Sequence, residues 1–215
     1  IKHFETSLDI FTQIGQVHGV AVSNGNLGKA YLKIEQYQKA ANYYCQALEI
    51  NTKLGERSRI ADDNHNLGIA YFKLGKYAHA IRYYKVSLEI HTSISDQSGI
   101  ASNNCNLGIA YRNLGEYQKA IKYYEKGLKI STEIGDRLGI ASNNGNLGNA
   151  YRNLGEYEKA IKYCEKGLQI STEIGDPSGI ATNNGNLGNA YFSLGEYQKA
   201  IEYFEKGLKI STEIG

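Results

Sequence analysis

Five asparagines stand forty residues apart: Asn26, Asn66, Asn106, Asn146 and Asn186. An asparagine amide carries both a donor and an acceptor, which matches a peptide group whatever its side chain. A row of such amides is equipped to hold an extended chain by its backbone. Each net hydrogen bond contributes about 0.5–1.5 kcal/mol, so affinity needs several rungs. Gly25, Gly145 and Gly185 precede three of the rungs and leave room for a backbone. Asn149 and Asn189 add amides one helical turn after two of them. The same row is also compatible with solvated amides, with hydrogen bonding between helices, and with shared descent of duplicated copies.

Other chemistry is sparse. The five histidines (His3, His18, His65, His79, His91) hold no common place in the period. His65 and Cys105 occupy matching slots in neighbouring copies, but stacked helices lie about 8–10 Å apart, too far for a direct pair. Asp62 and His65 share a helix face, and two residues do not make a metal site. No catalytic, cofactor-binding or metal-ligating set is expected. Cys45, Cys105 and Cys164 are odd in number and widely spaced. Free thiols in a reducing, cytoplasmic setting are the expectation. A net charge of +2 with interleaved signs argues against a nucleic-acid surface. No apolar run approaches the roughly 20 residues that span a bilayer.

These residues are positioned by a repeat. Copies of forty residues cover 16–55, 56–95, 96–135, 136–175 and 176–215, and residues 1–15 match the end of a copy. The chain thus opens inside a repeat and contains no methionine, which reads as a segment of a longer protein. In the fourth copy Asp136 is a good helix N-cap. Ile140, Asn144, Leu147, Gly148, Tyr151 and Leu154 then recur at helical spacing, and Gly155 offers a left-handed stop. A second stripe runs through Tyr157, Ala160, Ile161, Cys164 and Leu168 to Gly175. Two helices of about 17–18 residues joined by a tight turn form an antiparallel pair. Neither helix buries its stripe alone, so the next copy must cover it. Gly148 and its equivalents cost about 1 kcal/mol in helix propensity, which implies a close backbone approach opposite Ala160.

The pattern Asn144-x2-Leu147-Gly148-x2-Tyr151, followed by Ala160-x3-Cys164, resembles the tetratricopeptide repeat. Its leucine, glycine, tyrosine and alanine recur in all five copies. Two slots depart. Asparagine (Asn24, Asn64, Asn104, Asn144, Asn184) replaces tryptophan, and threonine replaces the closing proline. The forty-residue period is similar to that of Pins/LGN-type adaptors, which grip partner peptides. The resemblance implies an all-α, right-handed solenoid of stacked antiparallel helix pairs, with first helices lining a concave groove. The five-rung row then faces the groove, as do the basic residues Lys29, Lys33, Lys73, Arg112 and Arg152 against one acid, Asp62.

The expected partner is a protein or an extended, mildly acidic peptide, with no nucleic acid and no membrane. The Asn24 series lies about 200° from the rungs, points at the helix interface and should be hydrogen-bonded. Phe72 and Phe192 serve either as apolar anchors or in ordinary packing. The tyrosine pairs (Tyr43–Tyr44, Tyr83–Tyr84, Tyr123–Tyr124) are expected to pack between repeats. The alternative function is structural self-assembly, the uncapped array stacking end to end.

Overall fold

The computed structural model describes residues 1–214, and eleven α-helices with no strand make up the described residues. The expected end of the fifth copy, Gly215, lies outside them. The helices are α1 (Lys2–Gln13), α2 (Val17–Lys33), α3 (Tyr37–Leu54), α4 (Arg57–Lys73), α5 (Tyr77–Ser93), α6 (Gln97–Asn113), α7 (Tyr117–Glu133), α8 (Arg137–Asn153), α9 (Tyr157–Glu173), α10 (Pro177–Leu194) and α11 (Tyr197–Ile214). The described residues divide into two compact units, the first covering Ile1–Gly99 and the second starting at Ile100.

Helix boundaries follow local chemistry. The Asp136 carboxylate accepts the Gly139 amide at 2.9 Å, satisfying an orphan donor of α8. Asp96 does the same for Gly99 at 3.1 Å. Pro177 opens α10, where a missing donor costs nothing. At the α8–α9 turn Gly155 adopts φ +79°. The Glu156 amide there donates to the Tyr151 carbonyl at 3.0 Å, closing the helix in the Schellman manner. Two copies depart from glycine at such turns: Glu35 and Ser95 hold φ +61° and +58°.

Within a copy the two helices run antiparallel. In the second unit the Tyr151 ring stacks on Tyr163 at 5.3 Å, while Gly148 faces Cys164 further along. A side chain at Gly148 would start 3.0 Å from the Ala160 carbonyl, so the expected close approach is present. In the first unit the Tyr44 ring fills the corresponding place against Gly28.

Each unit has its own core. Leu27 and Leu67 in the first unit, and Leu107, Leu147 and Leu187 in the second, are fully buried beside small alanines such as Ala80 and Ala160. The tyrosine pairs pack between copies, as expected, and inside their own copy too: Tyr44 shares a buried cluster with Leu67 and Ala70 of the next copy, and Tyr43 and Tyr83 pack against that cluster. Tyr43 stacks on Tyr31, Tyr83 on Tyr71 and Tyr123 on Tyr111, while Tyr44, Tyr84 and Tyr124 lie on Gly28, Gly68 and Gly108. A glycine-to-ring contact and a stacked ring pair together zip each hairpin. At the end of the second unit Ile201, Phe204 and Leu208 are exposed, whereas Ile121 and Tyr124 at corresponding positions are buried.

The asparagines in the tryptophan slot are buried as expected. Asn64, Asn104, Asn144 and Asn184 each donate to the carbonyl four residues earlier at 2.7–2.8 Å. Their amide donors are thus satisfied on their own helix, whereas the Asn24 and Asn104 side-chain oxygens are buried without a partner.

Candidate functional site

Two clefts open between neighbouring first helices, one in each unit. In the second unit α8 and α10 enclose about 240 Å³ lined by Gly145, Asn146, Asn149, Thr182, Asn183 and Asn186, with Asp176 and Ser178 at one end. In the first unit α2 and α4 enclose about 120 Å³ lined by Asn26, Lys29, Arg59, Asp62, Asp63 and Asn66, with Asn51 of α3 at the floor. The rungs on each pair of first helices therefore face a shared opening. Gly25 and Gly145 belong to the linings as well, and beyond Gly25 the space is open.

The amides of the second unit form a chain. Asn149 Nδ2 donates to Asn186 Oδ1 at 3.0 Å, and Asn186 Nδ2 donates to the Gly145 carbonyl at 3.5 Å. Asn146 Nδ2 reaches the Cys105 sulfur at 3.6 Å. Two rungs thus turn their donor ends toward the preceding first helix. The contacts from Asn146 and Asn186 to that helix are long, at the weak end of hydrogen-bond geometry.

The remaining expected site residues scatter more. Lys29 joins the α2–α4 cleft. Lys33 and Lys73 are exposed in the last turns of α2 and α4 and line neither cleft. Arg112, Arg152 and Asn189 sit on α6, α8 and α10 outside both linings, and Asn106 on α6 is half-buried. Arg152 Nε is buried with no hydrogen-bond partner. Phe72 packs on Tyr77 and Phe192 on Tyr197, both with centroids 5.3 Å apart, so the two phenylalanines brace the turns of their hairpins.

The residue that sequence reasoning missed is Asp63. It is 6% exposed, and its Oδ2 accepts Asn51 Nδ2 at 2.7 Å. Burial pushes its carboxyl up to about 6 against the downward pull of the Asn51 hydrogen bond. Asp62 raises it further, while Arg59 and Lys29 lower it. The matching positions hold Ser23, Asn103, Asn143 and Asn183, all buried. That recurrence of small polar residues three places before each rung was the available signal.

Reactive side chains are quiescent. Burial pushes the Cys105 thiol up to about 11 and the Cys164 thiol up to about 12, so neither is a thiolate at neutral pH. Among the described residues no three histidine, cysteine, aspartate or glutamate side chains are grouped to hold a metal ion. No described helix is long and apolar enough to cross a membrane.

The fold is shared with several solved structures. BtubC (BKLC) from P. vanneervenii superposes with a TM-score of 0.84 at 20% identity, over 99% of this chain and 90% of that one. A Rap protein complexed with Competence and Sporulation Factor gives 0.79 at 18% identity, over 95% of this chain and 58% of that one. NprR in complex with its cognate peptide NprX gives 0.73 at 20% identity, over 97% and 62%. No curated protein matches the sequence significantly. The family model described as tetratricopeptide repeat matches residues 1–53, 59–133 and 139–213. With helix pairs of this geometry in both units and the repeat model spanning nearly every copy, the chain belongs to the tetratricopeptide repeat family.

Proposed function

We propose that this chain is a non-catalytic interaction scaffold that holds an extended segment of a partner protein along its first-helix faces. The observation that carries the reading is the convergence of Asn146, Asn149 and Asn186 on one open cleft. The Rap and NprR structures, each named with a bound factor or peptide, support peptide capture by this fold. The raised thiols leave Cys105 and Cys164 protonated at neutral pH and so poor nucleophiles.

The hydrogen bonding gives the grip a direction. Asn146 and Asn186 each turn a donor to the preceding first helix, and Asn149 donates to the Asn186 oxygen, so the Asn146 oxygen is the rung acceptor offered to a partner's N–H groups. A partner backbone also competes readily with contacts as long as 3.5 and 3.6 Å. Lys29, Lys33, Lys73, Arg112 and Arg152 bias the choice toward acidic segments, an attraction that added salt weakens. Asn106, on the neighbouring first helix α6, supplies a further rung and Asn189 a further amide.

The test is capture of peptides from an immobilised library of unstructured sequences by the whole chain, compared with the Asn146→Ala, Asn186→Ala double variant. Retained helicity with at least about fivefold weaker capture supports the grip, two lost hydrogen bonds being worth about 1–3 kcal/mol. Equal capture refutes it. End-to-end association through exposed Ile201, Phe204 and Leu208 is the second reading. Mass by light scattering that rises with concentration supports it, and a constant monomer mass removes it.

A further inference from the structure

The α2–α4 cleft differs from its counterpart in the second unit by a buried acid. At about 120 Å³ it is smaller than the roughly 300–1,000 Å³ of small-molecule pockets, and so is sized for one side chain. Asp63 lines it with one carboxylate oxygen held by Asn51 Nδ2 at 2.7 Å. Asn51 is itself 3% exposed, and its Oδ1 is buried without a partner. Asn51 Nδ2 donates to Asp63 Oδ2 whether Asp63 is ionised or carries a proton on its other oxygen, so the carboxyl can change protonation state without losing this partner.

The charged groups around Asp63 set the consequence. Lys29 on α2 and Arg59 and Asp62 on α4 line the same cleft, and Tyr44 on α3 interacts electrostatically with Asp63. With Asp63 ionised, two acids balance two bases. With Asp63 protonated, Lys29 and Arg59 outweigh Asp62 by one positive charge. The geometry points to Asp63 as a proton gate on this cleft: protonated, the cleft takes a carboxylate-bearing side chain of the partner, and ionised, it releases it. The inference rests on the scaffold reading above and names where, and under which conditions, an acidic residue of the partner is read.

The test uses the whole chain and acetate as the probe. Asn26 and Asn66 side-chain amide resonances are followed during titration at about pH 5.5 and about pH 7.5, either side of the expected midpoint. Acetate should bind roughly fivefold more tightly at the lower pH, the effect of one added charge in a partly screened site. Asp63→Asn should bind equally at both values. It should also fold, since Asn103, Asn143 and Asn183 fill the same place. A separate carbon-13 titration of the Asp63 carboxyl in the free protein should show a midpoint far above that of an ordinary aspartate. An ordinary midpoint, equal acetate affinity at the two pH values, persistent pH dependence in Asp63→Asn, or equal binding of acetamide would each overturn the gate. None of these readings touches Asn146 or Asn186, so the gate and the amide grip fail separately.

Discussion

Where the first unit buries Asp63 against Asn51, the second buries Asn143 and Asn183 at the same place in the repeat. The asparagines satisfy their donors on their own helix, Asn143 at the Gly139 carbonyl and Asn183 at the Gly179 carbonyl, 2.8 and 2.9 Å away. A carboxylate has nothing to donate and must borrow a donor from the neighbouring helix. Asn51 is that donor, and the positions corresponding to it in the second unit hold Ser131 and Ser171. Ser131 is already turned toward Asp136 at 3.4 Å. The two units also differ at their turns. Both non-glycine residues with positive φ, Glu35 and Ser95, belong to the first unit, while the second has Gly115, Gly135, Gly155, Gly175 and Gly195. The near-identical copies of the second unit turn on glycine and bury asparagine at this place, whereas the diverged copies turn on Glu35 and Ser95 and bury Asp63.

The largest effect should come from importing the acid. Asn143→Asp places a buried carboxylate where no asparagine stands ready to donate, and should destabilise the chain by about 2–4 kcal/mol at neutral pH. Urea denaturation would measure it, and a loss under about 0.5 kcal/mol would mean that Ser131 substitutes for Asn51.

The reverse exchange should help. The folded Asp63 carboxyl sits near 6, above the roughly 3.9 of an unfolded aspartate. The folded state then binds the proton more tightly, so its contribution is full below about pH 4 and is lost as pH rises through about 6. Asp63→Asn should remove that decline and raise stability at neutral pH by about 1–3 kcal/mol, with little change near pH 4. Parallel stability curves for the two proteins between those limits would place Asp63 outside the low-dielectric interior.

The smallest effect belongs to the turns. Glu35→Gly and Ser95→Gly should each add about 1 kcal/mol by removing the steric cost of a left-handed residue, less the greater freedom of glycine when unfolded. The same experiment run backwards, Gly155→Ala, should cost a similar amount in the second unit. If only one direction shows an effect, the side chains at Glu35 and Ser95 make compensating contacts.

Much of this was open to reading along the chain. The forty-residue period, the glycine stops, the cap at Asp136 and the inward turn of Asn144 follow from residue types and helical angles, which act over a few neighbours. The Asp63–Asn51 pair was hidden, because it joins two helices and its significance lies in burial. The partners of Asn146 and Asn186 were hidden for the same reason. The packing of tyrosine pairs between copies was legible from their pattern, whereas the ring stacks and glycine contacts inside each copy were not, because they depend on how the two helices of a hairpin face each other.

Local sequence alone settled which residues are helical, where each helix stops and which stripe each must bury, since propensity, capping and periodicity are properties of adjoining residues. Tertiary structure decided which amide ends meet a neighbour, which carboxyl loses its water and which openings remain between first helices. The amide bonds of Asn146 and Asn186 reach atoms 41 residues away, and Asp63 takes its donor from Asn51 on the preceding helix, 12 residues away, contacts that exist only when one copy packs against the next.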